Sequence, residues 1–343
     1  MRALHVFKKA YADPKHHYLG SVKDIRSRTE FFRERGHDCD ELLVSSKTQY
    51  DQELRKVPPD EWGRYDLVLL EMTFSPDALR YIRSVAPQAK LLVRSHNAEL
   101  LHRCHWALAN GVRRSSIDFL VQAVRNCRMD RLSGRSCDRI LSIDWWETQR
   151  YWHRLIPRAK AVWVPFFLPE DYLTELGPKD GKENLCVHFG ASLENPLIAD
   201  ATLNFIRMVD CVAPRLGDWR FVATGACTGR TQCESKSMRW TGLLAKPYDA
   251  LNGAKAMALL SPYGFGFKTK ILEAVMAKAF VILPHVLYRR LPEQLVKYCI
   301  PIDHRSASDF EDALRRCEQP FPEGNPNDEF RRIAFEQMDA ILM

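Results

Sequence analysis

Short, almost wholly apolar segments recur along this chain, each bounded by polar or turn residues and most followed by a helix-like stretch. In the first half they are Ala3 to Phe7, Leu42 to Val44, Tyr65 to Leu70, Lys90 to Arg94, Arg139 to Ile143 and Ala161 to Pro165. Strands without a polar alternation are buried on both faces, which requires a parallel sheet with helices packed above and below. Helix-like patterns fall between them at 21–35, stopped by Gly36, and at 76–85. A third spans roughly 112–136, where Ile117, Leu120, Val121, Val124 and Cys127 recur at helical spacing and predict a buried face.

Residues 166–183 break the pattern with prolines and glycines and predict a linker. A second alternating series starts at Asn184, with strands expected over 184–189, 219–224, near Trp240, 256–260 and 280–283, and helices near 197–210, 248–257 and 262–278. The expected architecture is α/β: a first Rossmann-like domain over 1–165, a linker over 166–183, and a second Rossmann-like domain over 184–320. The tail, 321–343, is expected to carry a helix that packs back on the first domain.

The 343 residues suit two domains, and a charged fraction of 27% excludes a disordered chain. No apolar run is long enough to span a bilayer, and the run ending at Lys8 and Lys9 is too short for a signal peptide. Ten scattered cysteines read as reduced thiols, which points to the cytoplasm. Residues 1–160 hold 29 basic and 20 acidic residues, so the net charge of +7 belongs entirely to the first half. Such a half faces an anionic partner, a membrane surface or nucleic acid, or is an ordinary solvated surface. Arg125, Arg128, Arg131 and Arg135 form a basic stripe, expected opposite the apolar face of the 112–136 helix.

The richest segment is 261–274, Ser-Pro-Tyr-Gly-Phe-Gly-Phe-Lys-Thr-Lys-Ile-Leu-Glu-Ala, a strand end running through a glycine loop into a helix. A loop of this kind lets backbone N–H groups and a helix N-terminus approach a phosphate, and Lys268 and Lys270 add positive charge. Glu273 can accept two ribose hydroxyls, or can simply complement the helix dipole. The spacing matches neither a P-loop nor a dinucleotide fingerprint. Asp38-Cys39-Asp40 reads as a turn, and His102 with His105 lacks a second ligand pair, so no metal is expected.

The 261–283 segment resembles the donor-binding region of the family-4 retaining glycosyltransferases, which have the glycosyltransferase-B fold of two Rossmann-like domains. Residues 92–99, Leu-Val-Arg-Ser-His-Asn-Ala-Glu, and the loop 189–196 are similar to that family's cleft segments. The resemblance implies metal-independent transfer of a sugar, with retention, from a nucleotide-diphosphate sugar to an acceptor hydroxyl, with no further cofactor. It places Gly190, Gly264, Phe265, Gly266, Lys268, Thr269, Lys270 and Glu273 at the donor, and His96 and Lys268 in catalysis. Gly20, Asn97 and Glu99 fall on the acceptor side. The acceptor is expected to be anionic or membrane-presented, with a peripheral contact to the inner face of the membrane. The loop 190–196 lacks the Arg and Lys that clamp phosphate in many members, a load left to Lys268 or Arg230. That departure keeps open a nucleotide-sugar-binding protein without catalysis, and the basic half keeps open a DNA-modifying glucosyltransferase.

Overall fold

The computed structural model describes the chain except residues 46–49, 72–75, 178–180, 191–194, 226–234, 236, 262 and 264. Six strands form the first sheet: β1 (Arg2–Lys8), β2 (Asp38–Val44), β3 (Leu67–Glu71), β4 (Lys90–Ser95), β5 (Arg139–Ser142) and β6 (Ala161–Trp163). They are all parallel, in the order β2-β1-β3-β4-β5-β6. The second sheet holds β7 (Glu183–His188), β8 (Arg220–Ala223), β9 (Arg239–Trp240), β10 (Ala254–Ala258), β11 (Phe280–Pro284) and β12 (Cys299–Ile302). Its order is β12-β11-β10-β7-β8-β9, again parallel. Strand order reverses between β1 and β3 in one sheet and between β7 and β10 in the other. Such switch points open crevices at the carboxyl ends of the strands.

The helices of eight residues or more are α1 (Gly20–Glu34), α2 (Pro76–Val85), α3 (Glu99–Ala109), α4 (Ile117–Ser136), α5 (Pro196–Val212), α6 (Thr269–Met276), α7 (Ala307–Arg316) and α8 (Pro326–Leu342). Helix α1 ends where Gly36 takes φ +64° and the His37 N–H closes back on Phe32 O at 2.9 Å. Strand β3 is buried at every residue, Leu67 through Glu71, as its apolar sequence requires.

Three sequence expectations are corrected. The predicted helix over 248–257 stops at Asn252, and β10 already begins at Ala254. The predicted linker is not irregular throughout: Phe166, Phe167 and Leu168 are buried between the domains, and Glu170–Glu175 is helical. The third correction concerns the expected helix over 112–136. It starts only at Ile117, capped by the Ser116 hydroxyl on the Phe119 N–H, and its apolar face points outward. Ile117, Leu120, Val121 and Val124 are exposed, whereas Asn126, Asp130, Ser133 and Gly134 face inward.

Polar contacts and close packing select that inward face. Asp130 accepts the Leu100 N–H at 3.0 Å and the Tyr151 hydroxyl at 2.5 Å. Gly134 lies so near Ile156 that a Cβ there would stand 2.8 Å from its Cδ1. Periodicity cannot see such contacts.

The chain returns to the first domain through α8. Phe330, Phe335 and Met338 are buried in the core shared by both domains, and the Phe335 ring stands 5.0 Å from Phe31 of α1. Arg35 forks onto Asp339 at 2.6 and 2.9 Å. Each buried large apolar side chain contributes roughly 1.5–3 kcal/mol. A half-exposed ion pair contributes about 0–1 kcal/mol, so the apolar face holds the helix in place.

Candidate functional site

Between the two domains lies a cavity of about 270 Å³ at the carboxyl edge of the second sheet. The end of β7 contributes His188, Phe189 and Gly190, the glycine loop and α6 contribute Phe265 through Lys270 apart from Gly266, and the first domain contributes Asn97, His102 and His105. The N-terminus of α6, at Lys268 and Thr269, therefore opens on the cavity. Unbonded N–H groups of a helix's first turn, with its dipole, suit an anion.

Lys270 reaches from α6 across to the end of β7, where its ammonium donates to Phe189 O at 2.8 Å. Gly190 makes room for it: the residue has φ +70°, and a Cβ would collide with that ammonium. Burial pulls the Lys270 pKa down to about 8, against the raising effect of Glu273. Lys268 donates to Phe265 O at 2.9 Å. Burial lowers its pKa too, while Glu147 and Asp144 oppose the shift. A diphosphate entering here would meet two ammonium groups whose hydrogen-bond acceptors among the described residues are backbone carbonyls, with carboxylates nearby. Its charge would restore what burial removes.

Gly266 has φ +75°, and its loop lies against the end of β4: a Cβ would run into the Asn97 side chain and approach the His96 carbonyl. Its N–H does not face the cavity. It donates to Glu147 Oε1 at 2.8 Å, and Oε2 of the same carboxyl accepts the Ala98 N–H at 2.7 Å. Glu147 follows β5 and stitches the glycine loop to the first domain. Burial and the neighbouring Asp144 push its pKa well up. Phe265 packs on His105 with ring centroids 4.0 Å apart, and the Arg290 guanidinium sits 4.0 Å over its ring.

Glu273 lies outside the cavity lining. It is fully buried on α6, and its Oε2 stands 2.7 Å from the ammonium of Lys23 on α1. The rings of Tyr248, Tyr172 and Tyr18 surround that ammonium at 5.1, 5.7 and 5.9 Å. In this state the carboxylate expected at the ribose is engaged by the other domain. Gly20 begins α1 at the same seam, where a Cβ would come within 2.6 Å of Thr269 Oγ1. Two helix starts pack closely at this glycine, expected on the acceptor side.

His96 is committed to a buried charge network. Its Nε2 lies 2.8 Å from Glu71 Oε2 and 3.2 Å from Asp24 Oδ2. Arg94 forks onto Asp24 at 2.6 and 2.9 Å, and Arg28 bonds Glu71 at 2.5 Å and Asp24 at 2.9 Å. Burial lowers the His96 pKa, but the two carboxylates outweigh it and the net shift is upward. Asp24, Glu71 and His96 could be grouped as metal ligands. The donor set does not fit a cation, because Arg28 and Arg94 already neutralise both carboxylates and would repel it. Glu99 sits buried in the first turn of α3 beside Arg103, and Asn97 reaches both the cavity and the glycine loop. Gly264 and Arg230 lie outside the described residues.

Sequence reasoning did not single out Lys23, Asp24, Glu71, Asp144 or Glu147. Three carried a readable signal: Glu71 closes an otherwise apolar strand, and Asp144 and Glu147 follow β5 directly, all where such sheets place ligands.

No family model matches this sequence, and no curated protein matches it either. Solved structures do. HepE (Alr3699) of Anabaena in complex with UDP superposes with a TM-score of 0.66 at 11% identity, covering 99% of both chains. A glycosyltransferase from Rickettsia africae gives 0.64 at 12% identity, covering 99% of this chain and 97% of that one. A protein described as a putative UDP-N-acetylglucosamine 2-epimerase from Listeria monocytogenes gives 0.60 at 11% identity, over 99% and 95% of the two chains. With two parallel six-stranded sheets that face each other across a cleft, the chain has the glycosyltransferase-B fold.

Proposed function

We propose that this protein transfers a sugar from a nucleotide-diphosphate sugar to an acceptor hydroxyl. The observation that carries the reading is the cavity at the β7–β10 switch point, where the start of α6, Lys268 and Lys270 converge opposite Asn97 and His105. HepE, of the same fold, is known with UDP and glucose and with UDP-glucose.

In this reading the diphosphate lies at the start of α6. Lys268 and Lys270 stabilise the charge that grows on the leaving diphosphate, so no metal is needed for that task. Asn97, from the opposite wall, orients the sugar. His96 acts as a positioning residue: its ring is tied to Glu71 and Asp24 and fixes the β4 end that carries Asn97. Closing the domains excludes water from the activated donor. Retention is part of the proposal and rests on the sequence resemblance.

The Lys23–Glu273 pair favours a second reading, a nucleotide-sugar-binding protein with weak or no turnover. It withholds the carboxylate that would hold the ribose. Calorimetric titration with uridine, adenosine and guanosine diphosphates, followed by phosphorus NMR of the matching glucose donor (UDP-, ADP- or GDP-glucose) incubated with the protein, separates the readings. A transferase binds one diphosphate and releases it from the matching sugar donor, slowly to water and faster with an acceptor. Binding without release supports the second reading, and no binding of any nucleoside diphosphate overturns both. The anomeric proton coupling of the product reports retention or inversion.

A further inference from the structure

Helix α4 presents one continuous outer face that the donor site does not use. Ile117, Leu120, Val121 and Val124 are 77, 54, 61 and 70% exposed. One turn after another, Arg125, Arg128, Arg131 and Arg135 follow, all exposed. At 100° per residue, Ile117, Val124, Arg128 and Arg135 lie nearly in line, with Leu120, Val121 and Arg131 beside them. The apolar half and the basic half thus share a face, which corrects the expected placement of the arginine stripe on the opposite side. Arg113 and Arg114, both exposed, precede the helix. Among charged groups at the apolar half, Asp118 is the acidic one, displaced to the edge of the face. Between α3 and α4, Cys104, Ala107, Val112, Phe119 and Ala123 help line a further cavity of about 230 Å³.

We infer that this face docks on an anionic lipid surface, with Ile117, Leu120, Val121 and Val124 entering the headgroup region and the arginines pairing with lipid phosphates. Four adjacent, mostly uncovered aliphatic side chains on one helix are not accounted for by contacts among the described residues. A nucleic acid would satisfy the arginines and leave the aliphatic half in water. A second copy of the face would bring six arginines toward six, with Asp118 as the nearby counter-charge. An anionic bilayer satisfies both halves at once. The inference does not depend on the proposed transfer reaction. It does bear on it, because α3 runs from the cavity wall at His102 and His105 to the loop that starts α4, so the docked face holds the cleft close to the lipid.

The test is co-sedimentation of the full chain with vesicles of phosphatidylcholine alone and of phosphatidylcholine with phosphatidylglycerol, at low and high salt. The expected result is sedimentation with the anionic vesicles at low salt, weakened by salt and absent with phosphatidylcholine alone. Each arginine near an anionic bilayer is worth about fivefold, so the triple variant Arg125→Gln, Arg128→Gln, Arg131→Gln should weaken binding on the order of a hundredfold. The pair Leu120→Ser and Val124→Ser should weaken it while leaving the salt dependence in place. None of these side chains faces inward, so an unchanged melting temperature shows that the variants are folded. Failure of the wild type to sediment with anionic vesicles at low salt overturns the inference. Equal binding to neutral vesicles overturns it too, as does a concentration-dependent dimer that the serine pair abolishes while vesicle binding stays unchanged.

Discussion

The ammonium of Lys23 and the carboxylate of Glu273 meet at 2.7 Å across the domain seam, each side chain 1% exposed. One belongs to the first helix of the first domain and the other to the helix that follows the glycine loop. The three tyrosines around Lys23 screen the pair from water. A buried pair of this kind adds little over an apolar substitute, but removing one partner strands the other. The two side chains therefore depend on each other across the seam.

Glu273→Gln should cost roughly 3–5 kcal/mol of stability, because Lys23 is left charged without its counter-ion. The double variant Lys23→Met, Glu273→Leu should recover most of that loss. Urea unfolding of the wild type, the single variants and the double variant measures both effects. If Glu273→Gln unfolds within about 0.5 kcal/mol of the wild type, the pair does not hold the seam.

That pair marks the limit of what the sequence showed. Strands such as Leu67–Glu71 and Phe280–Pro284 were legible because both faces are buried, so apolar composition alone reports them. The glycine loop was legible because Gly266 occupies positive φ, which other residues avoid. Lys23 was not legible, since its partner lies 250 positions away and a lysine in an amphipathic helix ordinarily points to solvent. The outer face of α4 was misread for a related reason: its apolar residues have the spacing of a core, but Asp130 and Gly134 fix the opposite side inward.

If the diphosphate binds at Lys270 as proposed, the pKa of about 8 there makes that binding depend on pH. Below that value the ammonium is charged in the free protein and meets the diphosphate without taking up a proton. Above it, binding must recruit a proton, so affinity should fall by up to about tenfold per pH unit. Titrating the cognate nucleoside diphosphate one unit below and one unit above that pKa reads the slope directly. Lys270→Met should bind more weakly throughout and show no such slope, and an unchanged slope would assign the effect to another group.

Gly266→Ala tests whether the glycine loop depends on its contact with the first domain. The left-handed conformation alone costs about 1–2 kcal/mol for alanine. Collision of the new Cβ with Asn97 adds to that, since the Gly266 N–H is pinned to Glu147 and the loop cannot swing away. The double variant Gly266→Ala, Asn97→Ala relieves the collision and leaves the backbone cost. Its melting temperature should therefore lie between those of Gly266→Ala and the wild type. Equal melting temperatures for the two variants would remove the interdomain contact from the account.

His96 makes the stability of the first domain depend on pH with a definite sign. Burial lowers its pKa, but Asp24 and Glu71 outweigh that and raise it above that of an ordinary histidine, so the folded protein holds this proton more tightly than the unfolded chain. The stability this contributes is complete below the unfolded pKa and is lost as pH rises through the folded one. Around the ring stand His5, Arg28 and Arg94 as well as the two carboxylates, and the arginines keep their charge throughout that range. His96→Gln retains a hydrogen-bond donor and removes the titration. The difference in unfolding free energy between wild type and variant should then be largest at acidic pH and shrink as pH rises from the ordinary histidine range upward. A difference that stays flat with pH means the ring is neutral in the folded state, with Arg28 and Arg94 carrying the whole charge balance. A difference that grows with pH reverses the sign and removes the protonated ring from the network.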